Sequence, residues 1–299
     1  MDEMTLLREF RSDAPAAAPP EVRERVLGSR RTSRRPALRL ALAAVLAVTG
    51  GGVAATVFQP AAPSAAAVLG RVAATVAAAP DLTPRPDQWV YERDLFLDAV
   101  TGKPGTHPGE SWSRFDGERV ADRMPSGRVN VQGVEYWPLG TPQQWYDMVV
   151  ALPDDPADVL DHLAADPLYT STGDTRADRD FDEVTQALTA ETYLPPAGRA
   201  SLFRALATIP GVGIDEHAAP DLVGRPVLSV TFTGDTDLGR AGDHWELLLD
   251  PASYDVLGLR GTAGSDIDLG EGTVKHAGEV WYEVAVLDHR VVDHAGDLH

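Results

Sequence analysis

The sequence predicts an α+β protein: one transmembrane helix followed by an extracytoplasmic domain with a largely antiparallel sheet and several helices. Three observations predict it. Residues 37–58 form a 22-residue apolar run whose only charge is Arg39. Beyond it, segments read as strands, then helices, then strands again, the order of an α+β domain. Charge also divides at the apolar run. Residues 1–58 carry nine arginines against six acids, +3, while the whole chain is −19, which leaves −22 on residues 59–299.

As a helix rising about 1.5 Å per residue, residues 37–58 span about 33 Å, close to the hydrocarbon thickness of a bilayer. Arg30, Arg31, Arg34, Arg35 and Arg39 cluster at its start. Such a cluster is held on the cytoplasmic side, so residues 1–36 read as a short cytoplasmic tail and everything after Phe58 as exterior. A cleavable signal peptide is the competing reading, with Pro63-Ser64-Ala65-Ala66-Ala67 as its cleavage run. Its apolar core is ordinarily about 7–15 residues behind a short basic region, which fits this segment poorly. Ala47 and Gly51 have the small-xxx-small spacing of a helix-pairing seam.

The tail contains two short amphipathic pieces. Leu6, Leu7 and Phe10 gather near one face of the first, and Pro20 opens the second through Val22, Val26 and Leu27. Helices this short are marginal alone, so Leu6, Leu7 and Phe10 are candidate anchors for a cytoplasmic partner on which the tail folds. Residues 59–80 read as a juxtamembrane helix, either a stalk or a first helix of the exterior domain, with Ser64 as cap and Val68, Val72 and Val76 on one stripe. The exterior domain is then expected over 81–299.

Strands begin at Trp89-Val90-Tyr91 and Leu95-Phe96-Leu97. A hairpin is expected across Asp116-Gly117, between Ser111–Phe115 and Glu118–Val120. Thr141-Pro142-Gln143-Gln144 opens a helix by capping Thr, Pro at the first helical position and Gln at the third. Asp155-Pro156 opens a second helix. Two more are expected over Asp180–Glu191 and Pro196–Thr208, the latter stopped by Pro210-Gly211. Strands follow at 227–233, 245–249, 256–260, 272–276 and 280–287.

Composition excludes several functions. No cysteine is present, so disulfides, thiolate zinc sites and cysteine nucleophiles are excluded. An exterior of −22 repels nucleic acid and anionic lipid surfaces, and no nucleic-acid partner is expected. No Gly-x-Ser-x-Gly elbow, phosphate-binding Gly-x-x-x-x-Gly-Lys loop or His-Glu-x-x-His helix occurs, so no catalytic or cofactor-binding residues are assigned and an enzyme is not expected. Asp235-Thr236-Asp237-Leu238-Gly239 with Glu246 twelfth imitates a calcium loop. Its sixth position is Arg240 where glycine is needed, so it reads as a hairpin loop and no metal is expected. The aromatic residues Tyr136, Trp137, Trp145 and Tyr146 are the candidate recognition surface, since aromatics at loop–helix junctions are frequent interface anchors.

Several phrases carry a family resemblance: Asp2-Glu3-Met4-Thr5-Leu6-Leu7-Arg8, Asp87-Gln88-Trp89-Val90-Tyr91, Arg199-Ala200-Ser201-Leu202-Phe203-Arg204, and Leu248-Leu249-Asp250-Pro251-Ala252-Ser253-Tyr254. Together they resemble an uncharacterised single-pass membrane protein family of high-GC Gram-positive bacteria, often encoded beside extracytoplasmic-function sigma factors. That resemblance implies a membrane-tethered, anti-sigma-like regulator, with the exterior domain as sensor and the tail as effector. The sequence lacks the His-x-x-x-Cys-x-x-Cys signature of many anti-sigma domains. The exterior layout is also similar to the curved-sheet, lipid-handling folds of lipoprotein carriers and of a periplasmic sigma-regulator sensor, which implies a curved sheet. Two functions are therefore expected: a non-enzymatic regulator or sensor at the plasma membrane, or an envelope lipid- or lipoprotein-binding protein without regulatory role. Expected partners are the bilayer through 37–58, a sigma factor inside, and lipid or protein outside. A concave sheet lined by Trp89, Trp112 and Trp281 around an apolar cavity would favour lipid.

Overall fold

The computed structural model describes residues 64–299, apart from positions 136, 138, 139, 169, 170, 237, 238, 240, 241, 271 and 299. The tail residues Leu6, Leu7 and Phe10 and the apolar run 37–58 lie outside the described residues. Among those described, no helix is long and apolar enough to cross a membrane.

The chain begins with helix α1 (Ala65–Ala77), capped by the Ser64 side chain accepting from the Ala67 N–H. Val68, Leu69, Val72, Ala73 and Val76 are buried, and the helix packs chiefly on α5 (Pro196–Leu206). Of the two readings, the helix is the first helix of the domain rather than a stalk: it is part of the core, and the described residues all fall within one compact unit of residues 60–299. Valines at i, i+4 and i+8 marked an apolar stripe, and the stripe needs a partner.

Five strands follow: β1 (Trp89–Asp98), β2 (Lys103–Pro104), β3 (Gly109–Arg114), β4 (Arg119–Arg123) and β5 (Val129–Gly133). The Asp116-Gly117 hairpin forms as expected, with Gly117 at φ +79° and the Asp116 carboxylate accepting from the Glu118 N–H. Helices α2 (Pro142–Val150), α3 (Pro156–Ala165), α4 (Arg176–Leu188) and α5 come next. The Thr141–Gln144 capping box and the Asp155 cap are both present. Helix α4 starts earlier than the apolar pattern implied, because Thr175 and Asp178 cap each other reciprocally.

The chain closes with β6 (Gly213–Asp215), β7 (Leu228–Gly234), β8 (Asp243–Leu249), β9 (Val256–Thr262), the small hairpin β10 (Ile267–Gly270) and β11 (Thr273–Lys275), and β12 (Val280–Val292). The main sheet runs β5-β4-β3-β1-β12-β9-β8-β7-β6, with β2 beside β1, and every pairing in it is antiparallel. The last strand thus lies between the first strand and β9. It also runs to Val292, past the expected end at 287; Asp288, His289 and Arg290 interrupt its apolar pattern without interrupting its ladder.

The helices cover one face over a core of Trp145, Phe181, Phe203, Leu206, Val230, Phe232, Trp245 and Leu247. On the opposite face Trp89, Tyr91, Trp112, Ala121 and Val292 form a second cluster, closed by the C-terminal segment through Trp112 Nε1 donating to the Asp297 carbonyl at 3.0 Å. Further along that outer face Arg260 donates to Glu283 at 3.0 and 3.1 Å, to Glu246, and to the carbonyls of Ala219 and Pro220. Its guanidinium thereby ties a connecting loop onto the sheet.

A fragment of residues 60–299 is expected to melt in one cooperative transition. A fragment starting at 81 loses α1, and full burial of one Val or Leu contributes about 1.5–3 kcal/mol. It is therefore expected to melt far lower or not to fold, and matching circular-dichroism melts would show that α1 contributes little.

Candidate functional site

Strand β1 alternates Val90, Glu92, Asp94 and Phe96 toward the helices, and Trp89, Tyr91 and Arg93 away from them. The pairing with β12 slips by one residue between Arg93 and Asp94: Arg93 opposes Asp288 and Asp94 opposes Val286, leaving Leu287 extra. Such a bulge re-phases the strand. Before it, Tyr282 and Val284 pack toward the helix-side core; after it, Val292 joins the opposite cluster and His289 turns toward the helices. His289 thereby lies directly across from Glu92.

Registered pairs extend this juxtaposition into a polar row, Asn130–Asp122–Ser111–Glu92–His289, across β5, β4, β3, β1 and β12. Where the row meets the loop between α4 and α5, the structure contains a cavity of about 470 Å³. Glu92, Asp94, Phe96, Val284, Val286, Tyr282 and His289 form its sheet wall; Leu188 to Leu194, with Glu191 among them, form the facing wall.

Two features keep it open. Strands β9 and β12 pair only as far as Gly258 and Ala285. Gly258 has φ +151°, and a Cβ there would meet the Val284 carbonyl. Beyond that point the strands part, and Arg225 bridges them by donating to the carbonyls of Val286 (2.9 Å) and Leu257 (3.3 Å). Arg225 is itself held by Asp221 at 2.6 Å. The facing loop is clamped on both sides. Thr192 donates to the Pro142 carbonyl at 2.9 Å, and the Tyr193 hydroxyl accepts from the Leu82 N–H at 2.9 Å.

Acidic groups dominate the electrostatics of this wall. Burial pushes Glu92 up to about 8, reinforced by Glu191 and Asp94. Burial also raises Asp94 and Glu191, the latter helped by Asp94 and Asp122, and it raises Tyr282. Burial, then Arg199, lowers His289 to about 4, so it is neutral at pH 7. By surface area His289 and Glu191 are both exposed, at the open side of the cavity, while Glu92 and Asp94 are partly buried. Neither Glu92, Glu191 nor His289 has a hydrogen-bond or ion-pair partner among the described residues. Arg199 is engaged by Asp255 at 3.0 Å.

The aromatic residues singled out from the sequence lie elsewhere. Trp145 is 6% exposed and belongs to the main core. Tyr146 is half-buried against Phe115 and Tyr193, with ring centroids 5.5 and 6.5 Å away. Trp137 is half-buried and donates to the Gly117 carbonyl at 2.6 Å. Tyr136 lies outside the described residues. These contacts correct the recognition-surface reading for Trp145, which packs the core, while Trp137 pins the β3–β4 turn and Tyr146 packs beside the clamped loop. Among the described residues, no group of three or more His, Asp or Glu is placed to hold a metal ion. Sequence reasoning missed Glu92, Asp94, Glu191 and His289. The signal was present in β1, where two acids occupy the same alternating face as Val90 and Phe96.

The chain matches no protein-family model, no curated protein and no solved structure.

Glu92 gives the site a measurable signature. A carboxyl raised above its ordinary 4.5 when folded contributes stability in full below that value and loses it as pH rises toward about 8. E92Q, neutral throughout, is expected to melt about 2–4 °C above the parent at pH 8, about 1 kcal/mol for a domain of this size. The difference should vanish near pH 5; an equal gap at both pH values would show that its origin is not Glu92 ionisation.

Proposed function

We propose that this chain is a membrane-tethered, non-enzymatic sensor whose extracytoplasmic domain binds a small ligand and whose cytoplasmic tail carries the response. The observation that supports it best is the cavity. At about 470 Å³ it lies in the range that holds small ligands, with apolar walls and a few convergent polar groups. In this reading residues 37–58 cross the bilayer, the five arginines fix the tail inside, and the sheet curves around the cavity. The inferred effector is the tail, with Leu6, Leu7 and Phe10 as its contacts. A sigma factor is the first partner to test, on the family resemblance alone.

The lipid- or lipoprotein-binding alternative has less support. Trp89 and Trp112 are packed in the opposite cluster, and Trp281 packs edge-on against Trp245 at 5.8 Å, so the three do not line one apolar groove. Three carboxyl groups in the cavity wall also oppose an acyl chain, since leaving polar groups unpaired against hydrocarbon is costly.

Topology is checked by reporters. One fused after His299 is expected to behave as extracytoplasmic and one placed before Ala37 as cytoplasmic; a cytoplasmic C-terminus would end this scheme. The two halves of the sensor are checked by partner capture from membranes. Replacing Leu6, Leu7 and Phe10 together by Ala is expected to abolish capture of the cytoplasmic partner while leaving insertion unchanged. V286W, which fills the cavity, is expected to fix capture at one level whatever the envelope conditions. Unchanged capture by the triple variant removes the tail as effector, and an unaltered response in V286W removes the cavity as sensor.

A further inference from the structure

We infer that the cavity takes a monovalent organic cation, a primary ammonium or guanidinium on a compact apolar body, with Glu92 and Glu191 as its charge partners. This rests on the cavity being the sensor's ligand site and adds the chemistry of the ligand.

The cavity's own charges argue for it. Its two arginines are already committed, Arg199 to Asp255 and Arg225 to Asp221 and two strand carbonyls. Glu92 and Glu191, from facing walls, have no cation partner, and Asp94 adds a third carboxylate whose contacts are backbone amides. Like charge disfavours ionisation within the group: Glu191 and Asp94 act on Glu92, and Asp94 acts on Glu191. A cation between the walls removes that repulsion, whereas an anion intensifies it and a neutral molecule leaves it in place.

The apolar component is equally specific. Phe96 projects at the cavity with half of its surface exposed, in a strand whose other large apolar residues are mostly covered. Tyr193 and Tyr282 add two further rings to the wall. Aromatic faces attract ammonium and guanidinium groups, most strongly where water is excluded. A metal ion does not meet this description, because the carboxylates are not grouped for coordination among the described residues and half the wall is hydrocarbon. The exterior charge of −22 raises the local concentration of cations at the mouth.

The test uses three probes with one body and different charge, 2-phenylethylammonium, 3-phenylpropionate and 2-phenylethanol, titrated calorimetrically into the full chain in detergent at pH 7.5. The ammonium is expected to bind at least about tenfold tighter than either other probe. E92Q and E191Q are each expected to weaken it about tenfold or more, without loss of melting temperature. Because the cation displaces the proton on Glu92, binding should tighten about tenfold between pH 6.5 and 8.5. The groups facing Glu92 over that range are Asp94 on its own strand, His289 and Tyr282 on β12, Glu191 on the loop, and the Arg199–Asp255 pair at the rim. Equal or tighter binding of the anion or the alcohol, no binding of the ammonium, or ammonium binding indifferent to E92Q and E191Q overturns the cation assignment. The sensor reading fails separately, through V286W and the tail variant.

Discussion

The whole sheet depends on the insertion of one strand. β12, at the C-terminal end, pairs with β1 on one side and β9 on the other, so it joins strands built from residues 89–133 to strands built from residues 213–262. Among the described residues, no other strand bridges the two groups. The four helices between them have to fold back over one face so that the ladder can close, and α1 fills the remaining groove beside α5. Pairing across nearly two hundred residues of sequence carries a loop-closure cost that local contacts do not, and long-range pairing of this kind slows folding more than it limits stability.

The bulge at Leu287 lets this strand serve two environments. A regular β12 would keep even-numbered side chains on one face from Tyr282 to Val292. Val292 would then point into the helix layer instead of completing the Trp89–Tyr91–Trp112 cluster. Inserting one residue reverses the phase, satisfies both clusters and brings His289 opposite Glu92. The polar row is thus a by-product of packing two apolar faces correctly. The parting of β9 from β12 beyond Gly258 has the same character: carbonyls freed from the ladder are met by Arg225, so the gap does not leave buried acceptors unpaired.

Local signals were largely legible in the sequence, and the relations between distant elements were not. The caps at Ser64, Thr141 and Asp155 and the hairpin at Asp116-Gly117 depend on residues within a few positions of one another, and each forms where the pattern placed it. Strands β5, β6 and β10 escaped notice because Val129–Gly133, Gly213–Asp215 and Ile267–Gly270 are short and polar or glycine-rich, and only neighbouring strands hold them extended. The aromatic run misled for a related reason. Composition marks Trp137, Trp145 and Tyr146 as large apolar surface, but whether a helix face meets solvent or a core is decided by what packs over it. The site was the hardest part to read. Glu92 and Glu191 are ninety-nine positions apart, and His289 reaches Glu92 only through a bulge with no sequence signature of its own.

Carboxylates in such a place make sense only if the folded state is not at its stability optimum. Glu92 would be better tolerated as an amide or an apolar side chain, since it is partly buried beside like charge, and Glu191, though exposed, sits beside Asp94 and Asp122. Nothing in the packing requires them: their side chains close no hydrogen bond among the described residues, in contrast to Asp178, Asp221 and Asp250, which cap turns and helices. A structural acid stabilises what surrounds it, and these two destabilise it. Unpaired charge facing an open cavity is the arrangement in which a bound counter-ion changes the stability of its walls, by an amount set by its concentration relative to its dissociation constant. Because the facing wall is a loop clamped at Thr192 and Tyr193, tightening at Glu191 would be transmitted to α2 through Pro142 and to the segment after α1 through Leu82. That second contact lies on the chain leading back toward residue 64, so on the sensor proposed above the effect of a ligand would reach the part of the domain nearest the apolar run in sequence.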